Sequence, residues 1–336
     1  MARTVSPETH LQPTPGRAPS AHGLWYNLPM RRATRTLCVV FGLLVLPISC
    51  SRGPRPLTPS EKADLESWRA ERLARLTAED GWLTLIGLHW LTPGAHRFGS
   101  SEACEVVLPD PAVPPVAGEV VLGADGTLLL RSLVPGAVTV NGLAVNSTPL
   151  KDDSGGSPDV VKTGRISFYV IRRGDRLGLR IKDPEAATRK GFQGLEYFPP
   201  DGRYRVVAHL ERYPHPRTVK ISTVIGTQEE LLAPGVLRFR LLGRELSLVP
   251  LVEHPDDREL FLIFRDATSG ASTYGAGRFL SARLEADGTA VVDFNRAYNP
   301  PCAFTPFATC PLPPPENVLP IPIEAGEKAP RGAPHH

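Results

Sequence analysis

Between Gly94 and Asp183 the chain never runs far without a turn. Segments 105–108, 119–122, 127–132, 137–140, 166–172 and 176–182 alternate or run apolar, and Ala124-Asp125-Gly126, Asn141-Gly142 and Gly174-Asp175 punctuate them. Short strands at such intervals read as a β-sandwich. Asn141-Gly142 is the strongest hairpin signal of the chain. Asp183-Pro184 ends the last of these strands, and 185–194 is a polar connector.

A second run of strand-like segments follows Phe192, Tyr197, Phe198 and Pro199-Pro200: 204–213, 219–224, 236–242, 245–252, 259–265, 278–284 and 290–294. Gly243-Arg244 joins one hairpin and Asp287-Gly288 another. Seven antiparallel strands predict a second sandwich or a partly open barrel. The 36 Pro and 30 Gly among 336 residues fit a helix-poor fold with many turns. No internal repeat, βαβ alternation or phosphate loop is visible. The fold class is therefore all-β, two sandwich- or barrel-like units with one N-terminal amphipathic helix.

That helix is predicted over 59–78. Thr58-Pro59-Ser60-Glu61 forms a capping box with Pro at the first helical position, and Leu65, Trp68, Leu73 and Leu76 follow at helical spacing. The intensely apolar run 82–91 is expected to pack the helix onto the first sheet. His89 within it reads as a satisfied core or edge histidine. Upstream, 1–29 is Pro/Ser/Thr-rich without apolar periodicity and reads as disordered or untranslated, with Met30 the start. Arg31, Arg32 and Arg35 precede an uncharged apolar run, 37–48, of signal-peptide length, and Ser49-Cys50 closes it. The segment 30–50 resembles a bacterial lipoprotein signal in which Cys50 is lipidated, although Pro47 stands where that pattern usually has Leu. The alternative is ordinary cleavage nearby and secretion. Residues 51–57 are a linker, 58–93 the helix with its apolar segment, 94–184 and 192–328 the two β units, and 329–336 a disordered tail.

The run from Val138 to Asp183 resembles a forkhead-associated (FHA) sandwich, a phosphothreonine reader. That fold reads phosphate with an Arg and a Ser-x-x-His segment, and no Ser-x-x-His precedes Asn141. The resemblance therefore implies architecture rather than phosphopeptide binding. Three blocks, Asp80–Leu91, Arg265–Leu280 and Asp293–Asn317, resemble the signature segments of a bacterial and archaeal family known as domain of unknown function 1684. That resemblance spans roughly 68–328 and implies no activity.

Chemistry-bearing residues concentrate near the C-terminus. Asp266 sits in a strand-end turn it can cap, and it can also pair with Arg265, Arg278 or a ligand. Tyr274 and Arg278 flank two glycines, and Arg suits carboxylate or phosphate. Asp293 and Asn295 share one strand face, and Tyr298 and Asn299 extend the cluster. Asp266, Tyr274, Arg278, Asp293, Asn295, Tyr298 and Asn299 are thus the candidate ligand residues, suited to a polyol or a hard cation. The alternative is that they cap and cross-link the loop. Two function classes stand. One is binding of a small polar ligand, glycan or peptide by an envelope protein held to the membrane by a lipid anchor. The other is a hydrolase using the Asp266 and Asp293 carboxylates. No nucleophile–base pair is visible, and neither a cofactor nor a resident metal is expected. Net charge is +3 with basic residues dispersed, so no nucleic-acid partner is expected. In an exported chain Cys302 and Cys310 read first as a disulfide, with two thiolate metal ligands as the alternative. Cys104 reads as a buried free thiol.

Overall fold

A computed structural model describes residues 53–331. The predicted signal segment and its Cys50 lie outside the described residues. The Thr58 hydroxyl accepts from the Glu61 amide, and the Glu61 carboxylate accepts in return from the Thr58 amide. This capping box opens α1 (Pro59–Thr77). Leu65 and Leu76 face inward, and Arg72 Nε donates to Glu327 Oε1 at 2.9 Å, tying the helix to the far end of the chain.

Eleven strands follow: β1 (Leu85–Trp90), β2 (Gly94–Gly99), β3 (Val106–Val107), β4 (Gly118–Leu122), β5 (Leu128–Ser132), β6 (Thr139–Val140), β7 (Leu143–Ala144), β8 (Ser147–Pro149), β9 (Val161–Thr163), β10 (Ile166–Arg173) and β11 (Arg176–Lys182). They form two sheets ordered β1-β11-β10-β9-β6-β7 and β3-β2-β4-β5-β8. Val120, Leu130, Ile166, Phe168 and Leu179 fill one core, where Phe98 meets Phe168 edge-on at 5.1 Å. Asn141 (φ 50) and Gly142 (φ 84) make the left-handed pair that joins β6 to β7, as the Asn-Gly signal predicts. The 82–91 run does more than pad the helix. After a 3-10 turn, Trp82–Thr84, it becomes β1 and pairs antiparallel with β11.

After one helical turn, α2 (Ala187–Lys190), come β12 (Arg205–Ser222), β13 (Gln228–Leu241), β14 (Arg244–Leu248), β15 (Glu259–Phe264), β16 (Arg278–Arg283) and β17 (Thr289–Asp293). They form a sheet β14-β13-β12-β17 and a pair β15-β16. Their shared core includes Leu237, Phe239, Leu260, Phe264, Leu280 and Phe294. Two predicted strands, 204–213 and 219–224, are a single one, β12. The register shifts between Arg212 and Arg217, across Pro214 and Pro216. Proline has no N–H for the ladder, so pairing lapses there and then resumes. The β13–β14 turn is Leu242-Gly243, one residue earlier than expected. Beyond β17 the chain wraps back over this core. Asn317 is fully buried, bonding Val249 through both its amide atoms and Ile263 through Nδ2. Ala329 N donates to Ser272 O, and Arg331 pairs with Glu196 at 2.7 Å.

Candidate functional site

The turn after β15 brings Asp266 beside the start of β16. Asp266 Oδ1 accepts from Thr268 N (2.8 Å), Thr268 Oγ1 (2.5 Å) and Ile323 N (3.1 Å), while Oδ2 accepts from Arg278 at 2.9 Å. Arg278 also donates to the carbonyls of Ile323 (2.9 Å), Ala325 and Glu327. Neither side chain has any exposed surface. The pair clamps the returning C-terminal segment, and both groups are already engaged. Tyr274, 2% exposed, donates to Cys302 O at 3.1 Å. Burial is the main cause holding its phenol above the usual range, so it stays a protonated donor.

Asn295 is also structural. Its Oδ1 accepts from Asp201 N at 3.0 Å, and its Nδ2 donates to Asp201 O and to Asp293 Oδ1. Asn299 donates from its backbone to Glu327 Oε2 (2.8 Å) and from Nδ2 to Lys328 O (2.7 Å). Asp293 differs. Its Oδ1 caps the 3-10 turn Phe294–Arg296, but Oδ2 meets Arg205 NH1 only at 3.4 Å and Arg296 Nε at 4.0 Å. Tyr298 is half-buried, against Phe279 (5.8 Å between ring centres) and Trp68 (6.3 Å), with the Arg72 guanidinium 4.9 Å over its ring. Burial, more than nearby charge, raises its phenol pKa.

Asp293 and Tyr298 open onto a cleft of about 900 Å³, within the range of small-molecule sites. One wall is α1, with Trp68, Arg72 and Arg75. The Asp80–Trp82 turn and Lys182 of β11 form a second, and Arg205, Ser281 and Arg283 the floor. Of the seven residues singled out from the sequence, only these two line it. Asn299 lines a separate cleft of about 490 Å³ with Phe192, Phe304 and Lys328. Asp266, Tyr274, Arg278 and Asn295 line neither. Trp68, at an apolar helix position, and Arg296, within Asp293–Asn317, also line the main cleft, and no local sequence signal marks either as a ligand contact. Burial leaves Arg296 Nε without a hydrogen-bond partner.

Cys302 and Cys310 come together inside one apolar cluster. Both are free thiols in this structure, with Cys302 N donating to Cys310 Sγ at 3.2 Å. The shared contact lowers the Cys302 pKa and, with burial, raises that of Cys310. Among the described residues no three His, Cys, Asp or Glu side chains converge as a metal site.

No curated protein matches the chain. Among solved structures, an uncharacterised protein of Haloarcula marismortui, determined by solution NMR, is 35% identical, covering 42% of this chain and 78% of its own, with a TM-score of 0.36. The FHA domain of the CT664 protein from Chlamydia trachomatis is 18% identical over 30% of this chain and 95% of that domain, with a TM-score of 0.21. The N-terminal FHA domain of Rad53p from S. cerevisiae, solved with a phosphothreonine peptide, is 21% identical over 29% of this chain and 73% of that one, with a TM-score of 0.18. Residues 190–328 match the model of the family described as "Protein of unknown function (DUF1684)". On that match, the chain belongs to this family through residues 190–328.

Proposed function

We propose that this is an exported envelope protein, lipid-anchored at Cys50, that holds a small polar ligand, glycan or peptide in the main cleft. Asp293, Arg296, Tyr298 and Trp68 are the contacts. The observation that carries the reading is Arg296, a half-buried guanidinium at the cleft whose buried Nε has no hydrogen-bond partner. Buried donors are nearly always paired, and the accessible part of this guanidinium side chain, a third exposed, faces the cleft, where an acceptor would complete its bonding. Asp293 Oδ2, loosely held at 3.4 and 4.0 Å, supplies the complementary acceptor. A paired-carboxylate hydrolase would need Asp266 at the same cleft, and Asp266 does not line it.

The anchor rests on the order of Arg31, Arg32 and Arg35, the apolar run 37–48 and Cys50. The same compartment favours a Cys302–Cys310 disulfide. Mass spectrometry of the protein from its own host tests the anchor, and an unmodified N-terminus other than Cys50 removes it. Thermal shift against sugars, amino acids and dicarboxylates tests the cleft. Stabilisation should appear in the natural protein and shrink in Asp293→Asn. Stabilisation that is unchanged in the variant, or none with any compound, refutes the assignment.

A further inference from the structure

The floor of the main cleft continues past its rim. Glu259, at the start of β15, lines both this cleft and another of about 470 Å³. Cross-strand register sets Arg283 opposite Glu259 and Ser281 opposite Phe261. These four side chains therefore form one outward patch of β15-β16. Aromatic rings bracket it: Trp68 and Tyr298 on the main-cleft side, Phe261 on the other. Phe279 lies buried between them, 4.9 Å from Phe261 and 5.8 Å from Tyr298, and fixes both rings in place.

Building on the binding reading above, we propose that the ligand is an oligosaccharide lying across β15-β16, with one sugar against Trp68 and Tyr298 and a later one against Phe261. A pyranose offers a face of C–H bonds that packs on an aromatic ring, because the ring face is electron-rich. Its hydroxyls each donate and accept, so they suit a carboxylate beside a guanidinium. Asp293 with Arg296, and Glu259 with Arg283, supply that combination at two points along the floor. Six cationic and five acidic side chains line the main cleft, a near balance that suits a neutral chain over a polyanion. A peptide would most simply add as a strand, yet both outer edges of β15-β16 are already bonded. Leu251 pairs with Phe261, and Tyr298 pairs with Phe279.

A glycan array with the full chain, then calorimetry using the mono- to hexasaccharides of the best hit, tests this. Affinity should climb by at least about tenfold between the monosaccharide and the longer members. Phe261→Ala should weaken the longer members far more than the monosaccharide and so erase that gain. The exposed Glu259→Gln, which leaves the core alone, should weaken the longer members in the same way. Trp68→Ala should weaken every length. Monosaccharide binding without length dependence, or a gain that survives both distal variants, overturns the oligosaccharide while the cleft reading stands. A silent array, or capture of extended peptides on a parallel peptide array, overturns it outright.

Discussion

Asp266 and Arg278 were legible as a pair but not as a clamp. The sequence places a carboxylate in a turn twelve residues before an arginine, and pairing is among its natural outcomes. It does not say that the chain returns at 323–327 to surround both. Burial changes their role, because Arg278 spends both terminal nitrogens on Asp266 and on three carbonyls, away from any cleft, and little is left for a ligand. Removing one member strands the other. Arg278→Met should therefore cost about 3–5 kcal/mol in urea unfolding. A loss below about 1 kcal/mol would mean the clamp does not hold the wrap. His89 follows another logic. Its Nε2 lies 3.1 Å from His96 Nδ1, and burial, then the neighbouring ring's charge, lower its pKa below the usual 6.5. Below about pH 6.5 the unfolded chain takes up a proton that the folded protein resists, so this contribution is present above that pH and is lost as pH falls. Thermal unfolding from pH 7.5 down to 5.5 should show a declining midpoint, with a shallower decline in His89→Gln. An identical slope in the variant assigns the pH dependence elsewhere.

At the scale of elements, local chemistry was readable wherever it was sufficient. The α1 capping box, the Asn141-Gly142 hairpin and strand β11 stand where the sequence puts them, because caps and left-handed turns depend on a few adjacent residues. The long ribbon β12-β13 was not readable. Pro214, Pro216 and Pro234 break any local strand signal, and only the partner strand carries the pairing through. The β13–β14 turn was misplaced by one residue for a related reason. Leu242 occupies a left-handed conformation (φ 49) that its side chain disfavours, so nothing marks it as a turn residue. It is also 45% exposed, and replacing it removes little packing. Leu242→Asn should therefore raise stability, by up to about 1 kcal/mol from the relieved left-handed strain. A destabilised variant in chemical denaturation would show that the leucine is favoured by contacts outside the turn. Thr58→Ala should lower stability by about 1 kcal/mol through loss of the cap.

At the scale of the molecule, the candidate site is assembled from segments more than two hundred residues apart, and that distance is why sequence found only part of it. Asp293 and Tyr298 lie together in the chain and were found. Trp68 and Arg75 are brought to them by the helix, and Lys182 by β11. Nothing local links these positions. The loop between Cys302 and Cys310 shows the same long-range logic in the scaffold. Its Thr309 hydroxyl accepts from Arg173 Nε at 2.9 Å and Arg180 NH2 at 3.1 Å, on β10 and β11, while Cys310 O accepts from Val224 N at the end of the β12-β13 ribbon. Closing a bond between the two thiols would restrain the unfolded chain and fix a loop that touches both sets of strands. On chain-entropy grounds the gain is about 2–3 kcal/mol. Protein isolated from its own host should show no reaction of Cys302 or Cys310 with a thiol reagent in denaturant, both reacting after reduction. Its unfolding midpoint should fall on reduction, and Cys310→Ser should remove that sensitivity. Two thiols that react fully without reductant rule out the bridge, and hydrogen bonding then holds the loop without it.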